Sequence, residues 1–425
     1  TPTLELREMI GAYFGFGDFI FRDPATGREV ARIKNLKDLE DNIFTLPRES
    51  LLYHISHNNV SRWLCSRALF PVSEFLKHIT WDSLQDVDAH RQIIFDAIVE
   101  YRKMKNRGVV AEFQRDRFDR YSNFARLGEG SLGGKGRGLA FLDRIVTQHK
   151  EFHELEGARV AIPKTLVLCT DIFDRFMESN NLYPIALSDA PDVEILAAFL
   201  RGMLPEDYKA DFYAFIDAIT GPIAIRSSSL LEDSHYQPFA GVYSTYMLPR
   251  LDDRRETMHL LLKAVKSVYA SVFFKDSKAY MTATQNVIDQ EKMAVILQEV
   301  VGRRYGDRFY PNISGVARSL NFYPIGFEKA EEGVVSLAFG LGKYIVDGGQ
   351  ALRVCAYHPD HVLQMSEMET ALRETQTKFY ALDMKEPEGD FQVDDGFNIL
   401  QVPVRQAVND GSMQWVVSTF DPMDQ

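Results

Sequence analysis

Three stretches carry residue types suited to gripping phosphate. The first is Gly128-Glu129-Gly130-Ser131-Leu132-Gly133-Gly134-Lys135-Gly136-Arg137-Gly138, with six glycines in eleven positions. Glycine tolerates positive φ and lets backbone amides come close to a ligand. Leu139, Leu142, Ile145 and Val146 follow at helical spacing, so the loop opens a helix, and a helix N-terminus favours anions. Lys135 adds a compact cation at that turn. Gly136 stands where a Walker A motif needs Ser or Thr, so this is not that motif. A mobile glycine loop with a solvated lysine fits the same residues.

The second stretch is Gly221-Pro222-Ile223-Ala224-Ile225-Arg226-Ser227-Ser228-Ser229, continuing to Glu232-Asp233-Ser234. It reads as a short buried strand, Ile223 to Ile225, that breaks into a hydroxyl-rich turn. Arg226 then sits at a strand end, where its planar fork suits bidentate binding of phosphate oxygens, with serines as neutral donors beside it. Phe239-Ala240-Gly241 could bend over a ligand. Equally, Arg226 could pair structurally with Glu232 or Asp233. The third stretch, Gln298-Glu299-Val300-Val301, lies where an apolar strand ends. Backbone groups there can read an adenine edge, and a plain core strand is the alternative.

The elements that must position these residues fall into two regions, with a boundary near residue 120. Residues 1–120 read as mostly helical. Asp82–Arg102 shows helical apolar spacing (Val87, Ile93, Ile94, Ala97, Ile98, Tyr101), and Ser50–Phe75 has a similar pattern. Phe19–Ile33 reads as a hairpin around Asp23-Pro24 and Thr26-Gly27. His54, His57, His78 and His90 are scattered without metal-ligand spacing. Beyond residue 120, strands and helices alternate. Ala158–Cys169 is β-rich and broken by Pro163, and Thr170 caps a helix carrying Ile172, Phe173, Phe176 and Met177. Asp253–Phe274 is a long helix. Met293–Val301 is a near-continuous apolar strand, which implies burial on both faces. Ser314–Ser319 and Gly333–Phe339 are further strands. The fold class expected is α+β.

Composition narrows the function. The 425 residues include 48 basic and 60 acidic side chains, a formal charge of −12. A net negative field disfavours a nucleic-acid backbone as partner. A single nucleotide needs only a local cluster of donors. Apolar runs stay short of the ~18–20 residues that cross a bilayer, so no membrane is expected. Cys65, Cys169 and Cys355 form no CxxC pair and read as buried free thiols in a reducing cytoplasm. The chain begins without Met and without a basic-plus-apolar leader.

In this order, Gly133-Gly134-Lys135-Gly136, Ile225-Arg226-Ser227-Ser228 with Glu232-Asp233, and Phe239-Ala240-Gly241 resemble the motifs of the phosphoenolpyruvate synthase and pyruvate phosphate dikinase family. Gln298-Glu299-Val300-Val301, Ser314-Gly315-Val316-Ala317 and Phe339-Gly340-Leu341-Gly342 continue the likeness, which covers about residues 120–360. The resemblance implies an ATP-grasp-like, two-lobed nucleotide-binding domain (121–360) using ATP and Mg²⁺. It places phosphate contacts on Lys135 and Arg226. Gly133, Gly134, Ser227, Ser228 and Gly241 would lie around the nucleotide, and adenine near Gln298, Glu299 and Val301. The expected activity is phosphoryl transfer from ATP to a histidine on a separate domain, on the way to pyruvate. The alternatives are an antibiotic or glucan phosphotransferase, or a nucleotide-binding regulatory module that transfers nothing.

Departures from the family pattern bear on the metal. Asn321 stands where relatives carry Asp after the Gly-Val strand, and Lys343 where they carry Glu after Gly-Leu-Gly. The metal ligands stay unassigned, with Asp347, Gln350 and Glu328 as substitutes. Arg318 either binds phosphate or pairs with a carboxylate. No Gly-rich Thr-Ser-His stretch is present, and His358 reads as a turn residue. The family's pyruvate-binding barrel needs about 250 residues, and 65 follow Asp360. The phosphohistidine and pyruvate-binding domains are therefore expected elsewhere in a longer chain or on a partner, with 361–425 as an extension or linker.

Overall fold

The computed structural model describes residues 17–67, 69–79, 87–105, 111–113, 115, 118, 123–152, 155–229, 243–283, 291–387 and 396–413. The chain packs as two units, residues 1–122 with 144–159, and residues 123–143 with 160–425. Its mixture of helices and sheets is α+β.

In the smaller unit, β1 (Phe19–Arg22) and β2 (Glu29–Ile33) form the antiparallel hairpin. The Asp23 carboxylate accepts the amides of Ala25 and Thr26, which makes the turn. The helical stretch is divided into α1 (Leu36–Asn42), α2 (Arg48–Ser56), α3 (Asn59–Ser66) and α4 (Phe70–Lys77), followed by α5 (Val87–Lys105) and a two-residue strand, β3 (Ala111–Glu112). Phe21, Ile33, Leu51, Trp63, Leu64, Ile94 and Ile98 form its core. His54 is a packing residue. It accepts the Arg22 amide at 3.1 Å, and burial holds its pKa below the usual imidazole value. Cys65 is exposed rather than buried, because it lies on the outer side of α3.

The larger unit is built on strands in the order β4 (Phe124–Leu127), β5 (Thr165–Leu168), β8 (Met293–Glu299), β6 (Ile223–Ser229), β7 (Thr245–Leu248). β4 and β5 are parallel, and the other neighbours are antiparallel. β8 is central. Met293 to Leu297 are all 0% exposed, which is why its sequence is an unbroken apolar run. On one face lie α7 (Thr170–Ser179), α9 (Asp192–Arg201) and α11 (Arg254–Ser271), after the short α8 (Tyr183–Ala186) and with α10 (Lys209–Ala218) between α9 and α11. Phe173, Phe176, Phe199, Tyr269 and Phe273 pack ring against ring there. Asp253 caps α11, accepting Arg255 N at 2.7 Å. On the other face, α6 (Gly133–Gln148) begins directly after the glycine loop.

After α12 (Lys275–Ala283) and β8, two smaller antiparallel sheets complete the unit. One runs β11 (Ser314–Arg318), β12 (Val334–Ala338), β13 (Leu352–Val354). The other runs β15 (Ile399–Pro403), β14 (Lys378–Asp383), β10 (Arg308–Tyr310), β9 (Arg303–Tyr305). β14 and β15 complete the second sheet, and Asp410, after the short α14 (Val404–Asn409), accepts from Arg308 Nη2 at 2.6 Å and Tyr310 Oη at 2.8 Å. Cys169 and Cys355 are buried. Among the described residues no helix is long and apolar enough to cross a membrane.

Candidate functional site

The glycine loop is held by Thr170 and Asp171, which follow Cys169 at the exit of β5. Because β4 and β5 are parallel, both chains leave the sheet at the same end. Asp171 accepts the amides of Glu129 at 3.1 Å and Gly130 at 2.9 Å. Thr170 Oγ1 accepts Ser131 N at 3.0 Å, and Thr170 N returns a bond to Ser131 O at 3.0 Å. Cys169, not Thr170, is the N-cap residue of α7. The Thr170 hydroxyl is used on the loop instead. Burial, with Asp171 beside it, pushes the Cys169 thiol up to about 11, so it stays protonated at neutral pH. The close fit needs glycine. A Cβ at Gly128 would meet Asp171 Oδ1 at 2.5 Å, and one at Gly130 would meet Thr170 Oγ1 at 2.6 Å.

The loop then docks on β6. Ser228 Oγ donates to Leu132 O at 2.7 Å and accepts Gly136 N at 2.9 Å. Gly133 has φ +67°, and a Cβ there would lie 1.8 Å from Ser228 O, so backbone meets backbone. Lys135 Nζ donates to Ser227 O and to Ser227 Oγ, each at 3.1 Å. The glycine loop, Lys135 and the Arg-Ser-Ser segment therefore converge, although 92 residues separate Lys135 from Ser227.

Arg226 is not at a strand end. β6 continues through Ser229, and Ser227, Ser228 and Ser229 are fully buried in it. Strand alternation sends Ala224, Arg226 and Ser228 to the face that α6 covers. In register, Ala224 faces Gln298 and Gln298 faces Thr165. Arg226 Nη1 donates a long bond, 3.4 Å, to Gln298 Oε1, and Gln298 Nε2 donates to Thr165 Oγ1 at 3.0 Å. This row of polar groups orients the guanidinium on an otherwise apolar sheet. Glu232, Asp233 and the Phe239-Ala240-Gly241 segment lie outside the described residues.

The other expected nucleotide contacts are placed differently. Glu299 points away from Gln298. Its Oε1 accepts Thr220 N, Thr220 Oγ1 and Gly221 N at 2.8, 3.0 and 2.8 Å, which fixes the turn that starts β6. Val301 lies beyond the end of β8 and is 64% exposed. Thr170, Asp171 and Thr165 were not anticipated as site residues. The available signal was a Thr-Asp pair one residue after a buried parallel strand, which read only as a helix start.

The carboxylates considered for a metal are engaged. Glu328 meets Arg353 at 2.9 and 2.6 Å and also accepts Asn321 Nδ2 and the Ile325 amide. The Arg353 guanidinium holds its carboxyl down at about 2. Asp347 accepts Lys343 Nζ at 3.1 Å one turn along α13 (Lys343–Val346). Gln350 Nε2 donates to Arg373 O. Arg318 is exposed on β11 and makes no ion pair among the described residues. The Gly-Leu-Gly turn is itself docked on β14, with Leu341 N bonded to Tyr380 O at 2.9 Å. A Cβ at Gly340 would meet that carbonyl oxygen at 2.7 Å.

Comparison with known proteins agrees with this geometry. The chain is 26% identical over 215 residues to the uncharacterized phosphotransferase YvkC of Bacillus subtilis, covering 48% of this chain and 24% of that protein. It is 24% identical over 238 residues to the phosphoenolpyruvate synthase of Aeropyrum pernix, covering 51% of this chain and 25% of that one. The chain thus spans about a quarter of the length of these curated relatives. Residues 129–394, more than half of the chain, match the family described as pyruvate phosphate dikinase, AMP/ATP-binding domain, and the chain belongs to that family.

Proposed function

We propose that this chain is the ATP-binding part of a phosphoenolpyruvate-synthase-like phosphotransferase, built as an ATP-grasp-like two-lobed domain. In this reading it passes a phosphoryl group from ATP to a histidine on a separate phosphohistidine domain, and from there to pyruvate. The observation that carries the reading is the meeting of Lys135 with Ser227, next to Arg226 on β6. An ammonium group held at Ser227 and an oriented guanidinium at the adjacent position of β6, beside a glycine-rich helix start, are donors suited to a polyphosphate. ATP supplies the activated phosphoryl group. Lys135 turns from the Ser227 carbonyl to a phosphate oxygen, and Arg226 offers its fork from the Gln298–Thr165 row. Catalysis is positioning and charge neutralisation.

Mg²⁺ is expected with ATP, but the described residues do not present a ready protein site. Glu328 is saturated by Arg353 and Asn321, and Asp347 is shared with Lys343. Mg²⁺ commonly keeps several waters and uses substrate phosphates as ligands, so it would enter on the nucleotide, and no step is assigned to a protein-held ion. The same engaged carboxylates favour a second reading, a module that binds ATP without transfer. Incubation with radiolabelled ATP and an added phosphohistidine domain separates the two. Acid-labile, base-stable label on that domain supports the transferase. ATP binding with no label on it supports the sensor.

A further inference from the structure

We propose that Glu332, Cys355 and His358 form a binding site for a divalent transition-metal ion of the zinc type. None of the three belongs to the glycine loop or to the Arg-Ser-Ser strand. Glu332 ends a 3₁₀ turn (Ala330–Glu332) just before β12, and Cys355 directly follows β13. Antiparallel pairing of Val335 with Val354 brings these two ends together. His358 lies in the turn after Cys355, closed by its amide on Cys355 O at 3.0 Å. The three donor atoms thus come from the entry of one strand and the exit of its neighbour.

Their spacing matches a coordination shell. Glu332 Oε2 is 3.2 Å from His358 Nε2 and 3.8 Å from Cys355 Sγ. All three donor atoms lie within 4.8 Å of one another. Bonds of about 2.0–2.1 Å to nitrogen or oxygen and about 2.3 Å to sulfur give tetrahedral edges of roughly 3.3–3.6 Å. His358 Nε2 is shielded from solvent and faces the Glu332 carboxylate at 3.2 Å, an ion pair when the imidazole is protonated. With the imidazole neutral, a shielded nitrogen, a carboxylate and a thiol at this spacing are placed to share one ion. The surroundings also hold the donors in place. Phe327 packs edge-on against the rings of His358 and His361, each at 4.8 Å. The Lys329 amide donates to Glu332 Oε2 at 2.9 Å, which orients the carboxylate.

The ligand set selects the metal class. A thiolate disfavours Mg²⁺ and Ca²⁺, and its mixture with imidazole and carboxylate suits Zn²⁺ or Co²⁺. Binding forms the metal–sulfur bond as the Cys355 thiol proton leaves to buffer. Three protein donors leave the fourth tetrahedral position to water. The ion would tie the entry of β12 to the exit of β13, beside the Glu328–Arg353 pair on that sheet.

The test is metal binding by the full chain after chelator stripping. The expected result is one equivalent of Zn²⁺ held against a metallochromic competitor. With Co²⁺, a thiolate-to-metal charge-transfer band in the near ultraviolet is expected, absent in Cys355→Ser. Affinity should fall roughly tenfold or more in His358→Ala and Glu332→Gln, in proteins whose circular dichroism shows a native fold. No uptake by the wild type overturns the site. So does a cobalt complex without the charge-transfer band, or equal affinity in His358→Ala. If Cys355→Ser does not fold, His358→Ala and the wild-type cobalt spectrum decide the matter.

Discussion

Replacing Gly133 by Ala should undo the docking of the glycine loop on β6. The residue has φ +67°, and its new Cβ would sit 1.8 Å from Ser228 O, whereas real Cβ contacts stay beyond 3.0 Å. The obstacle is backbone, so the loop must withdraw by roughly 1 Å. That takes the Ser228 Oγ bonds to Leu132 O and Gly136 N, now 2.7 and 2.9 Å, beyond good hydrogen-bond range. Two lost bonds at about 1 kcal/mol each and left-handed strain of about 1–2 kcal/mol sum to about 3–4 kcal/mol. The same withdrawal carries Lys135 off Ser227, so ATP affinity should fall roughly tenfold or more. Denaturant titration and calorimetry with ATP read the two effects. Gly138 is the control. It is on the same helix, and a Cβ there meets nothing within 4 Å, so Gly138→Ala should stabilise by about 0.5–1 kcal/mol. Equal stability and equal ATP affinity in Gly133→Ala would refute the docking argument.

Two further predictions concern ion pairs away from the loop. Arg353 lowers the Glu328 carboxyl from its ordinary 4.5 to about 2. Its stabilisation is therefore complete above pH 4.5 and is lost as pH falls toward 2, on the order of 1–2 kcal/mol once solvent screening is allowed for. Glu328→Gln should flatten that stretch of an acid-unfolding profile, and an unchanged slope would refute the pairing. Removing Arg308 leaves the Asp410 carboxylate, 9% exposed, without its cation. Arg308→Ala should cost about 3 kcal/mol, read as a lower denaturation midpoint, while loss of under half a kcal/mol would show the pair is not needed to hold residues 404–413.

The parts of this fold that were legible in the sequence are those with a local physical signature. The unbroken apolar run of β8 announced burial on both faces, Asp253 announced the start of α11, and Asp23 announced the hairpin turn. Arg226 was misplaced because three serines after it look like a turn. They are instead buried in β6, where Ser228 is satisfied by the glycine loop and Ser227 by Lys135. Those partners are 92 to 96 residues away, beyond any local pattern. The same reason hid Thr170 and Asp171, whose acceptors act on residues 39 to 42 positions earlier. β14 was invisible because its partner β10 precedes it by about 70 residues, and β15 joins the sheet only through β14. Glu299 was read as lying near adenine because it ends an apolar strand. Its carboxylate is engaged by Thr220 and Gly221, which spacing cannot reveal.

The most direct test is a calorimetric titration of ATP, at one fixed Mg²⁺ concentration, into the wild type, Lys135→Ala and Arg226→Lys in parallel. A charged hydrogen bond to phosphate contributes about 1.5–3 kcal/mol, so Lys135→Ala should raise Kd roughly 10- to 150-fold. Arg226→Lys should also bind more weakly, because a point charge does not replace the fork. Dissociation constants equal to the wild type in both variants, each still folded, would contradict the assignment of Lys135 and Arg226 to the nucleotide's phosphates.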